Sequence, residues 1–213
     1  MGNWKTTTLG DLVTFQRGHD LPKSQVVEGK YPIAGSNGII GYHNEFTTKA
    51  PSITIGRSGN IGNPFFYETY FWAHNTTLYI KEFKSADPKF IYYLLKTLDF
   101  TGHNSGSAVP SLNRNFIHPL KVYVPDSIEE QKAIAKILSS LDDKIELNRQ
   151  MNATLEAIAR ALFKAWFVDF EPARANMENR PSESASPEIA KLFPSEFENG
   201  IPKGWTFGTL SDI

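Results

Sequence analysis

The sequence predicts an α+β protein, with a mostly β domain over residues 1–125 followed by one long helix over residues 126–170. Before Pro125, short apolar runs are separated by glycine-rich and polar turn signals at spacings of roughly 8 to 12 residues, which is typical of an all-β arrangement. After Pro125, neither glycine nor proline occurs until Pro172. A segment of about 40 residues can therefore continue as a single helix.

Strands are predicted wherever β-branched and aromatic residues form short runs between turn signals. These runs are Leu12 to Gln16, Tyr31 to Ala34, Ile39 to His43, Ser52 to Ile55, Phe65 to Tyr67, Thr77 to Ile80 and Leu120 to Val124. One short helix interrupts them after Asp87-Pro88, because the apolar residues Phe90, Ile91, Leu94, Leu95 and Leu98 recur at helical spacing and Pro88 suits a first turn.

The long helix begins with a capping-box pattern, Ser127 followed by Glu130. At 1.5 Å per residue its length is about 60 Å. Its apolar positions fit heptads, which favour pairing with another long helix in an antiparallel coiled coil, and Asn148 and Asn152 would fix the register of that pairing. A lone amphipathic helix lying on its own domain is the alternative. The predicted pairing residues are Ile134, Leu138, Leu141, Ile145, Asn148, Asn152, Leu155, Leu162 and Trp166.

Residues 171–204 are predicted to be a linker, because five prolines occur there among serine, glutamate and asparagine. A short helical turn is expected around residues 189–193. Residues 205–213 are predicted to begin a second repeat unit. Trp4, Leu9, Asp11 and Leu12 recur there, each displaced by 201 positions, as Trp205, Leu210, Asp212 and Ile213.

Composition excludes several classes of protein. The chain has no cysteine, so it has neither disulfides nor thiolate metal sites, and it fits a reducing cytoplasmic location. The five histidines lack metal-ligand spacing, and no apolar run approaches the length of a membrane span. Residues 1–125 carry 12 basic and 8 acidic side chains, a balance of 12 − 8 = +4, which permits binding to a polyanion without requiring it.

Several segments match those of a known family. They are Val124-Pro125-Asp126-Ser127-Ile128-Glu129-Glu130-Gln131 at the helix start, Trp166-Phe167-Val168-Asp169-Phe170-Glu171-Pro172 at its end, the segment 106–113, and Ile201-Pro202-Lys203-Gly204-Trp205. The chain thereby resembles the specificity subunit of type I restriction-modification enzymes. The family usually has two target recognition domains and two long helices, whereas this chain carries the first of each.

The resemblance implies a DNA-recognition subunit without catalysis of its own. Its domain would read one half of a split site in double-stranded DNA, and its helix would dock DNA methylation subunits, with restriction subunits in the full complex. No cofactor is expected on this chain, since S-adenosylmethionine, ATP and magnesium would belong to partner subunits. Two copies of a half-length chain are expected to self-associate through the helix, unless a second repeat unit is the natural partner.

Candidate DNA-binding residues are polar and basic side chains in glycine-rich or turn-like segments, where paired donors and acceptors can reach base edges. The alternative for each is ordinary turn chemistry. The candidates are Arg17, His19, Lys23, Asn37, Tyr42, Arg57, Ser58, Asn60, Asn104, Ser105, Ser107, Asn113 and Arg114.

Two other functions remain open from the sequence. The chain could be a coiled-coil protein-interaction module whose β-rich domain binds protein or glycan, in which case it would lack salt-dependent affinity for DNA. It could also be the recognition end of a fused DNA methyltransferase.

Overall fold

The computed structural model describes residues 2–100, 111–206 and 208–209. The chain divides into two compact units, residues 1–141 and residues 142–213. The predicted boundary after residue 125 therefore differs from the boundary in the structure, which falls inside the long helix. The reason is that the first turns of this helix belong to the core of the β domain, as described below.

The first unit contains nine strands among its described residues and three short helices before the long one. The strands are β1 (Trp4–Thr8), β2 (Val13–Arg17), β3 (Tyr31–Gly35), β4 (Gly38–His43), β5 (Ser52–Gly56), β6 (Pro64–Tyr67), β7 (Trp72–Ala73), β8 (Thr77–Phe83) and β9 (Lys121–Pro125). The helices are α1 (Leu9–Leu12), α2 (Pro88–Thr97) and α3 (Arg114–Ile117), with a 3₁₀ turn at Lys23–Gln25.

The strands form three sheets. The largest has the order β2-β8-β5-β6 with antiparallel pairing throughout, a second has the order β4-β3-β7, and β1 pairs with β9. The main core lies between the four-stranded sheet and α2, and its largest fully buried side chains include Phe15, Ile53, Ile55, Ile80 and Ile91. The mixed α+β class is confirmed.

The predicted helix after Asp87 is α2. The carboxylate of Asp87 accepts a hydrogen bond from the backbone N–H of Phe90 at 2.9 Å, and Pro88 occupies the first turn. Phe90, Ile91 and Leu95 are buried on one face of the helix. Local capping and apolar spacing therefore act together here, and the sequence pattern identified the helix.

β1 and α1 were absent from the sequence predictions. β1 contains three consecutive threonines and pairs with β9, which lies more than 110 positions away in the chain. α1 begins with a capping box in which the hydroxyl of Thr8 accepts from the N–H of Asp11 and the carboxylate of Asp11 accepts from the N–H of Thr8. A non-local strand partner and a four-residue helix leave little periodic signal in the sequence.

The predicted long helix is α4 (Ile128–Phe167), which is 40 residues long. Its first turns pack on the β domain. The side chain of Gln131 is buried, donating to the carbonyl oxygen of Pro125 at 3.0 Å and accepting from the N–H of Asp87 at 2.9 Å. Ala135 is buried and Ile134 packs against the core. The alternative of a helix lying on its own domain therefore holds for these turns only.

The second unit contains the remainder of α4 together with α5 (Glu171–Met177), α6 (Pro187–Ala190), β10 (Phe197–Glu198) and β11 (Ile201–Pro202). Residues 171–204, predicted to be a linker with one short helical turn, thus contain two short helices and two short strands. α6 begins two residues before the expected helical turn at residue 189.

The carboxylate of Glu171 accepts most of the side-chain hydrogen bonds that residues 180–184 of this segment donate. Its oxygens accept hydrogen bonds from the hydroxyls of Ser182 and Ser184, the N–H groups of Glu183 and Ser184, and the guanidinium of Arg180. Burial alone would raise the pKa of Glu171, but these donors lower it to about 2. Two of the serines that suggested a linker, Ser182 and Ser184, are therefore donors to a partly buried carboxylate.

Candidate functional site

Three arginines from distant parts of the chain line one cleft in the first unit. Arg17 ends β2, Arg57 follows β5, and Arg114 begins α3. The cleft has a volume of about 310 Å³, and the described residues that line it include no acidic side chain. They are Arg17, Arg57, Leu78, Ser111, Leu112, Asn113, Arg114 and Asn115.

Sheet register brings the first two arginines together. β8 lies between β2 and β5, and Leu78 is paired with Arg17 on one side and with Ile55 on the other. Beyond the end of β5, the N–H of Arg57 donates to the carbonyl oxygen of Thr76 at 2.8 Å. Because antiparallel strands alternate direction, the end of β2 and the end of β5 lie on either side of the start of β8.

The third arginine is held against the same strand ends by the segment before α3. The N–H of Leu112 donates to the carbonyl oxygen of Arg57 at 2.8 Å, and Ser58 forms a β-bridge with Ser111. The side chain of Asn113 then caps α3 by accepting from the N–H of Asn115 at 3.0 Å. Asn113 and Arg114 are therefore positioned beside Arg57 by backbone contacts.

A hydrogen-bond chain connects Arg17 with Arg57. The carboxylate oxygen Oδ1 of Asp20 accepts from the Nη2 atom of Arg17 at 3.3 Å and from the Nδ2 atom of Asn75. The carbonyl oxygen of Asn75 accepts from the Nη1 atom of Arg57 at 3.5 Å. Sequence reasoning missed Asp20 as a site residue, because it searched for cations and neutral donors.

The β3–β4 turn lies beside the glycine-rich segment that carries Arg57. A Cβ atom added to Gly59 would lie 3.5 Å from the hydroxyl of Ser36, and one added to Gly56 would lie 1.6 Å from the carbonyl oxygen of Asn60. The second distance leaves no room for a side chain at residue 56. The predicted candidates Asn37, Ser58 and Asn60 are therefore on the segments that surround Arg57.

Other candidates are placed differently. The centroid of the His19 ring lies 6.3 Å from that of Trp72 and 6.0 Å from that of Tyr79. His19 therefore packs against two aromatic side chains. Lys23 lies in the exposed 3₁₀ turn and Tyr42 on the edge strand β4, and neither lines the cleft. Asn104, Ser105 and Ser107 lie outside the described residues.

Two histidines near the cleft have a lowered pKa. Burial lowers the pKa of His118 below its ordinary value of 6.5, and the charges of Lys84 and Arg114 lower it further. Burial also lowers the pKa of His74, while the carboxylate of Asp20 opposes that shift. Both imidazoles are therefore predominantly neutral at pH 7.

The predicted pairing surface of α4 is exposed over its middle part. Leu141, Ile145, Leu155 and Leu162 are between 36% and 56% exposed, and Asn148 and Asn152 are exposed among them. Leu138 is half-buried. Three further exposed apolar residues widen this stripe at helical spacing, and sequence reasoning had not assigned them to it. They are Ile137, Met151 and Ile158.

The two ends of the predicted pairing surface already have partners within the chain. Ile134 packs against the core of the β domain. Trp166 packs edge-on against Phe193 and donates from its indole nitrogen to the carbonyl oxygen of Ser184 at 3.1 Å. Each of these two residues therefore stabilises the unit in which it lies, and its part in helix pairing stays a prediction.

No group of three or more histidine or acidic side chains that could hold a metal ion occurs in the part of the chain that the structure describes. Within the same residues, no helix is long and apolar enough to cross a membrane.

Comparison with known proteins assigns the family. Residues 1–157 match the type I restriction modification DNA specificity domain. The chain belongs to this family. The match covers all of the first unit and the part of α4 up to residue 157, and it includes every residue that lines the arginine cleft.

Two curated relatives agree with the assignment. The chain is 40% identical to the type I restriction enzyme HindI specificity subunit of Haemophilus influenzae, over 59% of this chain and 38% of that subunit. It is 36% identical to the MjaIX specificity subunit of Methanocaldococcus jannaschii, over 59% of this chain and 27% of that subunit. The chain therefore spans less than half the length of these relatives.

A solved structure shows the same fold. The type I restriction-modification S subunit of M. genitalium superimposes with a TM-score of 0.59 at 22% identity, over 84% of this chain and 46% of that one. The chain thus shares its fold with a subunit of about twice its length.

Proposed function

We propose that this chain recognises a specific sequence in double-stranded DNA through the arginine cleft, as one half-reader of a type I restriction-modification system. One observation carries the proposal: three arginines from three separate segments line one cleft, together with one serine, two asparagines and two leucines. Arginine binds guanine or phosphate in a bidentate manner, and asparagine reads adenine. The specificity domain therefore presents the groups that base reading requires.

In this proposal the long helix supplies the assembly surface. The exposed stripe from Leu141 to Leu162 would pair with another long helix in an antiparallel coiled coil, either in a second copy or in a second repeat unit. Residues 205–213 would begin that second unit in a longer chain. This part of the repeat lies largely outside the described residues.

We also propose that this chain has no catalytic activity of its own and acts in the cytoplasm. DNA methylation subunits that dock on it would bind S-adenosylmethionine, and restriction subunits would use ATP and magnesium. The relatives it matches are named as specificity subunits, which supports this division of roles. Incubation of DNA with labelled S-adenosylmethionine should give no methylation with this chain alone and methylation when a matching methylation subunit is added.

Selection from a random duplex library at low salt tests the proposal directly. Enrichment of a short motif is expected, and a salt titration of the selected duplex should show a steep fall in affinity. Binding without enrichment, even with a methylation subunit present, would contradict sequence reading. Absence of any binding would favour the alternative of a coiled-coil protein-interaction module.

A further inference from the structure

We propose that Asn75 reads an adenine base and that Asp20 is the positioning residue that orients its amide. This inference rests on the proposed DNA recognition and adds to it one specificity-determining residue and the base that it reads. Asn75 follows β7 and precedes β8, at the strand ends that also carry Arg17 and Arg57.

The orientation of the Asn75 amide follows from its partner. An ionised carboxylate can only accept hydrogen bonds, so Asp20 must receive the Nδ2 donor of Asn75 rather than its oxygen. The second Nδ2 hydrogen and the Oδ1 acceptor of Asn75 have no hydrogen-bond partner among the described residues. One donor and one acceptor on the same amide are what adenine requires at N7 and N6 in the major groove.

The location of Asp20 argues against a purely stabilising role. Its side chain is 68% exposed and that of Arg17 is 52% exposed, and exposed ion pairs contribute little to stability. A carboxylate among arginines also repels the phosphates of DNA. A role in positioning explains why Asp20 lies there. It holds the side chains of Arg17 and Asn75 in fixed orientations before DNA binds, and this ordering lowers the conformational entropy lost on binding.

The two arginines complete the arrangement. The guanidinium of Arg57 donates to the backbone carbonyl oxygen of Asn75, while Arg17 donates to Asp20. Asp20 therefore holds the side-chain amide of Asn75, and Arg57 holds the backbone of the same residue. Burial lowers the pKa of His74, and the negative charge of Asp20 partly opposes this by raising the same pKa.

The first experiment uses the duplex that the wild-type chain selects and replaces each adenine in turn with 7-deazaadenine, which lacks the N7 acceptor. At one position the wild-type affinity is expected to fall about tenfold, whereas Asn75→Ala should show no further loss from the same replacement. Asn44→Ala is the control, since Asn44 is an exposed asparagine that follows β4 at the end opposite the β3–β4 turn, and it should behave as wild type.

The second experiment separates positioning from fold stability. Asp20→Ala should lower affinity for the selected duplex about tenfold, while affinity for a scrambled duplex stays the same or rises because a negative charge is lost. Glu68→Ala is the control, because Glu68 is equally exposed at 70% and pairs with Lys89. The pKa of His74, followed by NMR, should decrease further in Asp20→Ala, and the melting temperature should be unchanged.

The outcomes distinguish this inference from the proposed function. If the wild-type chain selects no motif, the proposed function fails and this inference fails with it. If it selects a motif without adenine, or if 7-deazaadenine affects wild type and Asn75→Ala equally at every position, only the reading by Asn75 is wrong. If Asp20→Ala keeps the ratio of the two affinities, the positioning role is wrong.

Discussion

The imidazole of His118 accepts a hydrogen bond from the backbone N–H of Phe15, with 3.0 Å between the N–H nitrogen and Nε2. Phe15 is fully buried in the middle of β2, and His118 ends α3. The two residues are separated by 103 positions, and their contact fixes the strand that carries Arg17 against the helix that carries Arg114. One neutral histidine therefore connects two of the three arginines.

Substitution His118→Leu should reduce the free energy of unfolding by about 1–3 kcal/mol, because the buried N–H of Phe15 loses its acceptor. Urea denaturation of the purified chain measures this change. His118→Gln retains an acceptor and serves as the control, with a smaller loss expected. An unchanged stability in His118→Leu would show that water replaces the imidazole.

Stability should also decrease on acidification through this histidine. The pKa of His118 is lowered in the folded chain, so below pH 6.5 the unfolded chain takes up a proton that the folded chain does not yet accept. The stabilisation is therefore complete above pH 6.5 and decreases as the pH falls towards the folded pKa. Melting temperatures between pH 8 and pH 5 should show a shallower slope for His118→Gln than for wild type.

Substitution of the cleft arginines should weaken DNA binding in a salt-dependent manner. The variants to compare are Arg17→Ala, Arg57→Ala and Arg114→Ala. A variant that has lost a phosphate contact should show a slope of log affinity against log salt that is smaller by about 0.9. A variant that has lost a base contact should instead select a motif that is less specific at one position. Arg160→Ala on the exposed face of α4 is the control and should alter neither quantity. Fluorescence anisotropy with selected and scrambled duplexes separates the two effects.

Glu171→Gln should destabilise the second unit by about 1–3 kcal/mol, because the neutral amide loses charge-assisted bonds from Ser182, Ser184 and Arg180. Since the pKa of Glu171 falls from 4.5 to about 2 on folding, the wild-type contribution is present above pH 4.5 and is lost as the pH falls towards 2. Hydrogen exchange localised to residues 171–204 measures both effects. Glu188→Gln, an exposed acid in α6, should cause little change.

Leu155→Lys should reduce self-association of the chain, since it introduces a charge into the middle of the exposed apolar stripe on α4. Sedimentation equilibrium is expected to show a concentration-dependent dimer for wild type and a shift towards the 23.9 kDa monomer for the variant. Ala153→Lys introduces the same charge on the opposite side of the helix and should preserve the dimer. A wild-type chain that stays monomeric at tens of micromolar would contradict pairing.

The sequence alone determined the local elements of this protein. Apolar periodicity, capping residues and the positions of glycine and proline predicted two helices and seven strands, because these signals act over a few neighbouring residues. The elements are α2, α4, β2–β6, β8 and β9. The matching segments at the two ends of α4 also indicated the family. Arg57 and Arg114 were candidates because they are basic side chains in glycine-rich or turn-like polar segments, where donors can reach base edges.

Only the tertiary structure decided which of these residues meet. The register of β2, β8 and β5 places Arg17 beside Arg57, and the Asp20–Asn75 contact joins segments 55 positions apart, a relationship that carries no periodic signal. The same reason explains why the elements within residues 171–204 were not predicted. Serine and proline are typical of linkers, yet here Ser182, Glu183 and Ser184 donate hydrogen bonds to the carboxylate of Glu171. Composition describes the average behaviour of a segment, whereas the fold depends on specific partners that are distant in sequence.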